Sequence, residues 1–308
     1  MASALSFPDQ VRNWLETMHF QCEVEKDSNV FFTTVTASLG ERSPFCLILV
    51  GLYDWRNSGA SESEAQKILD AMLRERQKSV ITVVLWEDYW LTRKPIVISR
   101  LTAMQGFGVK IPARLTQVRR TDNAQTNAFL DKNHLNGPTS SKFRYGLYLP
   151  RRYYRILPED FQFDQSVEEL LVAVATFSNA RIFTQQNASF RSHELIRFAS
   201  LLHTNVVGAF DKLLHAFIRE KQPDDIMTYA DREWSEGASY VKLGFERRDV
   251  SPPSKVFLDT TDLSRHTIKR HASMSLESAD ISPVEYLTVY NMGSIKFVRT
   301  IKHFENEY

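Results

Sequence analysis

The chain has 308 residues, which at about 150 residues per domain allows two domains or one large one. Hydrophobic residues make up 43 % and charged residues 24 %, a globular balance that excludes collagen-like, disulfide-framework and wholly disordered classes. The longest apolar runs, Phe45–Leu52 and Val80–Trp86, fall far short of the roughly 18 residues a bilayer needs and have the length of buried strands. The opening MASALSFPDQVRNWLE has neither a basic n-region nor an apolar h-region, so a cytoplasmic protein is expected. Cys22 and Cys46 lie among apolar neighbours without metal-ligand spacing and read as buried, reduced thiols; neither zinc nor a disulfide is expected.

In chain order, Pro8 to Met18 reads as a helix with Val11, Trp14, Leu15 and Met18 on one face and Ser6 as its cap. Val30–Ser38 and Phe45–Leu52 are strands joined by the turn signal LGERSP, which makes a hairpin. Ser61–Lys78 is a helix, Ser79–Trp86 a strand and Asp88–Met104 a helix interrupted near Pro95, giving an α-β-β-α-β-α module of residues 1–110. The glycine-containing GFGVKIPAR marks the boundary to residues 111–308. There the spacing predicts a strand at Ala113–Arg119, a helix at Asn123–Asn133, neighbouring strands at Lys142–Leu149 and Leu170–Ser178, and a third at Glu194–Leu201. A helix at Val206–Lys221, a strand at Ile226–Ala230 and a short helix at Gly237–Leu243 follow. Residues 263–282, rich in Ser, His and Arg, read as an irregular insertion, and His266 and His271 within it as solvated histidines.

The net charge of +1 gives no global signal for nucleic acid, but a sum hides local blocks. Between Lys132 and Arg155 there are Lys132, Lys142, Arg144, Arg151, Arg152 and Arg155 and no Asp or Glu, with Phe143, Tyr145, Tyr148, Tyr153 and Tyr154 among them. This mixture either grips phosphates and stacks bases or is a solvated hairpin with its aromatics turned to the core. Residues 194–245 carry the chemistry. A strand, a loop with Gly208 and an amphipathic helix leave first-turn N–H groups to receive a pyrophosphate. Tyr240 then emerges where neighbouring strands diverge, either as a proton donor to a leaving group or as a packing tyrosine beside Phe245. Asp231 orients a substrate amine or caps the next turn.

The segments Asn205-Val206-Val207-Gly208-Ala209-Phe210 and Tyr240-Val241-Lys242-Leu243-Gly244-Phe245 resemble the (R/Q)xxGx(G/A) loop and closing YxxxGF of the GNAT-type N-acyltransferases, with Asn205 in the Arg/Gln position and Phe210 in the small one. FLDKNHLNG, KFRYGLYL, VAVATF, ELIRFA, TYADREWSEGASYVKLGF and EYLTVYNMGSIKFV look like the acyltransferase-like domain of phage and mobile-element proteins, and the Mom-type DNA-modification proteins of phage are more distantly similar. The resemblance implies an acyltransferase acting on nucleic acid, DNA rather than RNA, with acetyl-CoA or another acyl-CoA as donor. It implies Tyr240 as general acid, Asp231 and His134 as orienting groups and residues 205–210 as the cofactor loop, while the cation-rich stretch supplies Lys142, Arg144, Arg151, Arg152 and Arg155 as the expected nucleic-acid contacts. VVLWEDYWLTRKPIVISRL is similar to the closing strand and helix of very-short-patch-repair-like nuclease domains, but in CLILVGLYDW Ile48 stands at the carboxylate position and VFFTTVTAS holds no acid. Glu23, Glu25 and Asp27 lie upstream and Asp54 downstream, so the expected metal is none. The expected architecture is α/β (α+β), an inactivated restriction-nuclease-like module followed by a GNAT-like fold. The rival is a non-catalytic DNA-binding or assembly component in which both folds are relict.

Overall fold

In the computed structural model, which describes residues 5–78, 80–185, 188–267 and 285–302, α1 (Phe7–Thr17) begins where the sequence puts its cap. Ser6 accepts from Asp9 N, a proline fills the first turn, and Phe7, Val11 and Leu15 form the buried face. Then come β1 (Gln21–Glu25), β2 (Thr33–Ser38), β3 (Phe45–Val50), α2 (Leu52–Asn57), α3 (Glu62–Gln77), β4 (Ile81–Trp86) and α4 (Glu87–Met104). The middle of the chain forms β5 (Val109–Pro112), β6 (Gln117–Arg120), α5 (Asn123–Asn133), β7 (Phe143–Pro150), β8 (Glu169–Phe177), β9 (Arg181–Gln185), β10 (Ala188–Ser200), β11 (Thr204–Val207) and α6 (Ala209–Lys221). It closes with β12 (Asp225–Asp231), α7 (Ala238–Lys242), β13 (Glu246–Val250), β14 (Ser254–Asp259), β15 (Arg265–His266), β16 (Tyr286–Asn291) and β17 (Ser294–Thr300). No helix among the described residues is long and apolar enough to cross a membrane.

The chain folds as two units whose segments alternate: Met1–Thr92, Ala230–Gly237 and Asp249–Ile295 form the first, and Arg93–Tyr229, Ala238–Arg248 and Lys296–Tyr308 the second. The change of unit inside α4 falls on its kink, where Arg93 leaves helical geometry (φ −130°) two residues before Pro95, which has no N–H to give and disfavours helical backbone just ahead of it.

In the first unit the sheet runs β1-β2-β3-β4, antiparallel except for the parallel β3–β4 pair. All six residues of β3 are buried, as a strand covered on both faces must be. A second small sheet, β15-β14-β16, contributes Leu258, Leu287, Val289 and Tyr290 to the same core as Ile48, Trp55, Met72 and Trp86. Trp55 sits edge-on to Trp86 at 5.2 Å and donates its indole N–H to Thr288 O at 2.7 Å. Burying side chains of this size stabilises the unit by roughly 1.5–3 kcal/mol each. Ile48 is thus core, while Glu23 and Glu25 lie on the exposed edge strand and Asp54 on an exposed helix face.

The second unit holds an eight-stranded sheet, ordered β13-β17-β12-β10-β8-β7-β6 with β9 paired to β10, and a separate parallel pair, β5 with β11. The strands from β6 to β10 pair antiparallel, whereas β10 and β12 are parallel. Phe177 of β8 and Phe217 of α6 stack at 3.9 Å between ring centroids, which holds α6 on the sheet.

Several expectations need correction. The strand expected at Ala113–Arg119 begins only at Gln117, because Ala113–Leu115 form a tight turn whose Ala113 carbonyl accepts from Thr116 N, Thr116 Oγ1 and Lys212 Nζ. The helix expected from Val206 starts at Ala209: Val206 and Val207 continue a strand against β5, and Gly208 turns the chain at φ +81°. Five-residue β1 carries no apolar alternation, being an exposed edge, and was invisible for that reason. His266 is buried, with Nε2 within 2.8 Å of Ser264 Oγ and its ring edge-on to Tyr286, so it is no solvated histidine; His271 lies outside the described residues, as does most of 263–282.

Candidate active site

Only three residue pairs join β10 and β12, Ser192↔Asp225 to Glu194↔Met227. Beyond them β10 is bent by a register shift between Leu195 and Arg197, and the ladder gives way to a side chain: Thr228 Oγ1 donates to Leu195 O at 3.0 Å. Two parallel strands that part in this way leave a crevice at their carboxyl ends. Thr228 also hydrogen-bonds the Tyr240 hydroxyl. The phenol therefore stands near the fork.

The ring of Tyr240 is held by Phe210 (5.5 Å), Phe245 (5.8 Å) and Phe297 (5.3 Å). Burial raises its pKa above the usual tyrosine value, against the opposing pull of the Thr228 bond and of Arg100. Phe210 belongs to the first turn of α6 and packs on Phe198, Tyr240 and Phe245. Its bulk, which replaces a small residue in the resembling loop, is therefore spent on the aromatic cluster around Tyr240.

Residues 205–210 divide by alternation: Asn205, Val207 and Gly208 are exposed, while Val206 and Ala209 are buried. The start of α6 has no side-chain cap, so its first-turn N–H groups have no partner from a capping residue. A Cβ on Gly208 would touch only Ala113 Cβ, at 3.7 Å, and the demand for glycine comes from its positive φ. A helix start of this kind with a left-handed glycine ahead of it fits a pyrophosphate.

His134 follows α5, where Asn133 ties the helix end to the turn after β10 by accepting from Leu202 N at 2.7 Å. Its Nδ1 accepts from Asn136 N at 3.2 Å. Burial, then Arg197 and Arg100, push the imidazole down to about 3, so it is neutral at any working pH. Arg100 acts electrostatically on both His134 and Tyr240, lowering the pKa of each. Asp231 belongs to the first unit, where its carboxylate accepts from Glu233 N at 3.0 Å and its carbonyl from Trp234 N and Ser235 N, the cap-like turn that was one of its two readings.

The acid-free stretch from Lys132 to Arg155 is not acid-free in space. Arg151 pairs with Glu168 at 3.0 Å, Tyr145 donates to Glu220 at 2.9 Å, Tyr148 to Gln125 and Tyr154 to the Val167 carbonyl. Tyr145 and Tyr148 are buried, and Arg144 is half-buried with one amine on Ser141 O. Lys132, Lys142, Arg151, Arg152 and Arg155 remain exposed, Arg152 over the Tyr153 ring at 4.9 Å. Sequence reasoning missed Thr228, Arg100 and Arg197; an arginine inside the apolar strand ELIRFA was the available signal for the last. It also missed Glu233 of the first unit, wholly buried beside Asp231, Asp88 and Arg265. Among the described residues no group of three or more His, Cys, Asp or Glu is placed to hold a metal.

No protein-family model matches the chain, and no curated protein matches it. Among solved structures it is similar to the histone acetyltransferase HPA2 and related acetyltransferase from Corynebacterium glutamicum, with 12 % identity, 62 % of this chain and 98 % of that chain covered, and a TM-score of 0.35. It is similar also to the NatC complex bound to Gag peptide and CoA (10 %, 61 % and 99 %, TM-score 0.32) and to the KacTA–DNA complex (18 %, 44 % and 86 %, TM-score 0.28). The chain is mixed α/β, and its second unit has the order strand, glycine loop, helix, strand, short helix and Gly-Phe stop that the GNAT-type resemblance calls for.

Proposed function

We propose that the protein is a GNAT-type acyltransferase that uses an acyl-CoA donor and modifies nucleic acid, DNA rather than RNA. The observation that carries this reading is the fork between β10 and β12: the Tyr240 hydroxyl stands there on Thr228, and its ring touches Phe210 in the uncapped first turn of α6. In this reading the ring contact joins a proton donor to an anion-binding helix start. The thioester donor supplies the activated acyl group. In this reading Asn205, Val207, Gly208 and the N–H groups of Ala209 and Phe210 hold its pyrophosphate, with Val206 and Ala209 fixing the loop from within. Tyr240 keeps its proton on Oη until the leaving group needs it, and His134 orients the acceptor. Lys142, Arg144, Arg151, Arg152 and Arg155 grip phosphates, and residues 1–110 serve as an inactivated nuclease-like positioning module in which Ile48 replaces a metal-binding carboxylate.

Calorimetry with acetyl-CoA tests the donor. Saturable binding is expected, with Kd raised at least tenfold in Gly208→Ala, because an alanine at φ +81° costs on the order of 1 kcal/mol and reshapes the helix start. No heat at millimolar acetyl-CoA overturns the reading. The nucleic-acid grip has its own test. Removing one phosphate-binding cation lowers the slope of log K against log salt by about one unit, so Arg151→Ala with Arg152→Ala should flatten it by up to about two. Anisotropy of labelled DNA between low and moderate salt measures this; an unchanged slope moves the DNA-binding surface elsewhere.

A further inference from the structure

One strand of the second unit is open along its edge and on both of its faces. β9 pairs with the first residues of β10, from Arg181↔Ser192 to Gln185↔Ala188, and among the described residues no other strand joins it. Residues 181–184 are all exposed, and Ile182 (68 %) and Phe183 (49 %) point to opposite sides of the ribbon. Phe183 lies on its cross-strand neighbour Phe190 at 5.0 Å, which is buried, so the apolar row runs from the fold out to the open edge. The outer strands β1, β6 and β13 are built differently. They carry Glu23 and Glu25, Arg119 and Arg120, and Glu246, Arg247, Arg248 and Asp249, the charges that keep an open ladder from pairing with another chain. β9 reads RIFTQ, with a single charge at its end and neither lysine nor proline.

We propose that β9 is a dimerisation strand, whose outer edge pairs antiparallel with β9 of a second copy of this chain about a two-fold axis at Phe183. The order of the five residues selects this occupant. Pairing centred on Phe183 sets Phe183 against its own copy, Ile182 against Thr184 and Arg181 against the uncharged Gln185. Aromatic residues meet on one face, β-branched residues on the other, and no charge faces a like charge. The two Arg181 positions are then four residues apart along the ladder, about 13 Å, beyond the roughly 10 Å screening length. A parallel pairing in register would instead lay Arg181 beside Arg181. With Phe190 behind each Phe183, the joined sheet carries phenylalanines in a row across the axis. Such a contact uses the same patch on both copies and closes at two. Two five-residue strands are small beside the roughly 1,000 Å² of a persistent interface, so the dimer forms at high concentration and dissociates on dilution. The pairing needs nothing from the acyltransferase reading.

The test is sedimentation velocity on the full chain from low to several hundred micromolar. The wild type should pass reversibly from monomer to dimer. Ile182→Lys and Phe183→Lys, which place a charge on one face each and remove no buried side chain, should raise the dissociation constant at least tenfold, with urea unfolding close to that of the wild type. Cysteine trapping then reads the register, in a chain whose half-buried Cys22 is replaced by Ser and whose Cys46 is buried. Paired residues of an antiparallel ladder have Cα atoms about 4.5–5.5 Å apart, within disulfide reach, so Phe183→Cys should cross-link to its own copy under mild oxidation. Arg181→Cys, four positions from its copy, should not. A wild type that stays monomeric throughout overturns the proposal, and a heterologous strand becomes the candidate for this edge. A dimer that both lysine variants leave intact places the interface elsewhere and overturns it too, as does trapping through Arg181→Cys in place of Phe183→Cys.

Discussion

Tyr240→Phe should lower acyl transfer to DNA, followed as release of the CoA thiol, by roughly 10²–10⁴-fold, the range for a positioned acid. The ring contacts with Phe210, Phe245 and Phe297 survive the change, so the aromatic cluster keeps its buried area. The variant gives up one hydrogen bond, worth about 0.5–1.5 kcal/mol. Thr228 is not left unpartnered, because it still donates to Leu195 O. Burial holds the phenol protonated above the ordinary tyrosine value of 10.0, so no loss of activity from Tyr240 ionisation is expected at or below that pH. Acetyl-CoA affinity should be unaffected, since the first-turn N–H groups of α6 are untouched. Unchanged turnover with a stability loss near 1 kcal/mol would make Tyr240 the packing tyrosine of the alternative reading.

How far the site could be read in advance follows from what each residue answers to. Tyr240 and Gly208 were legible because each sits in a local pattern: the glycine turns a strand into a helix at positive φ, and the tyrosine precedes a Gly-Phe helix stop. Ser6 was equally readable, as a cap acting on the N–H three residues on. Thr228 and Arg100 were not, since nothing nearby in the chain says that a threonine in β12 will replace a ladder bond of β10, or that an arginine of α4 will act on a histidine after α5. The cation-rich stretch misled for a related reason. Its missing acids, Glu168 and Glu220, come from β8's approach and from α6, distant in sequence and adjacent in space. Long-range pairing likewise set β14, β16 and β17, short strands whose burial depends on neighbours tens of residues away.

The second large effect concerns the first unit and stability. Glu233 is wholly buried and accepts from the Trp86 indole N–H at 3.0 Å, while Arg265 spends its guanidinium on both oxygens of Asp88, at 2.7 and 2.9 Å. Its carboxyl is pushed up to about 8, first by burial and then by the Asp231 charge, with Arg265 opposing, against an ordinary 4.5. The folded state therefore keeps a proton that the unfolded chain releases between those values. Where the folded state binds more protons, stability falls as pH rises. The contribution is thus fully present below about 4.5 and is lost progressively up to about 8, at about 1.4 kcal/mol per pH unit. Glu233→Gln keeps an oxygen for Trp86 and removes the titration. Urea unfolding of both proteins from pH 5 to 8 should show the variant gaining on the wild type steadily and exceeding it most at the alkaline end. His134, held at about 3 by burial and two arginines, acts with the opposite sign, adding stability as pH rises toward its ordinary 6.5. That effect is common to both proteins, so their difference isolates Glu233. Parallel curves would mean that Glu233 is ionised in the folded protein, with Arg265 serving it as well as Asp88.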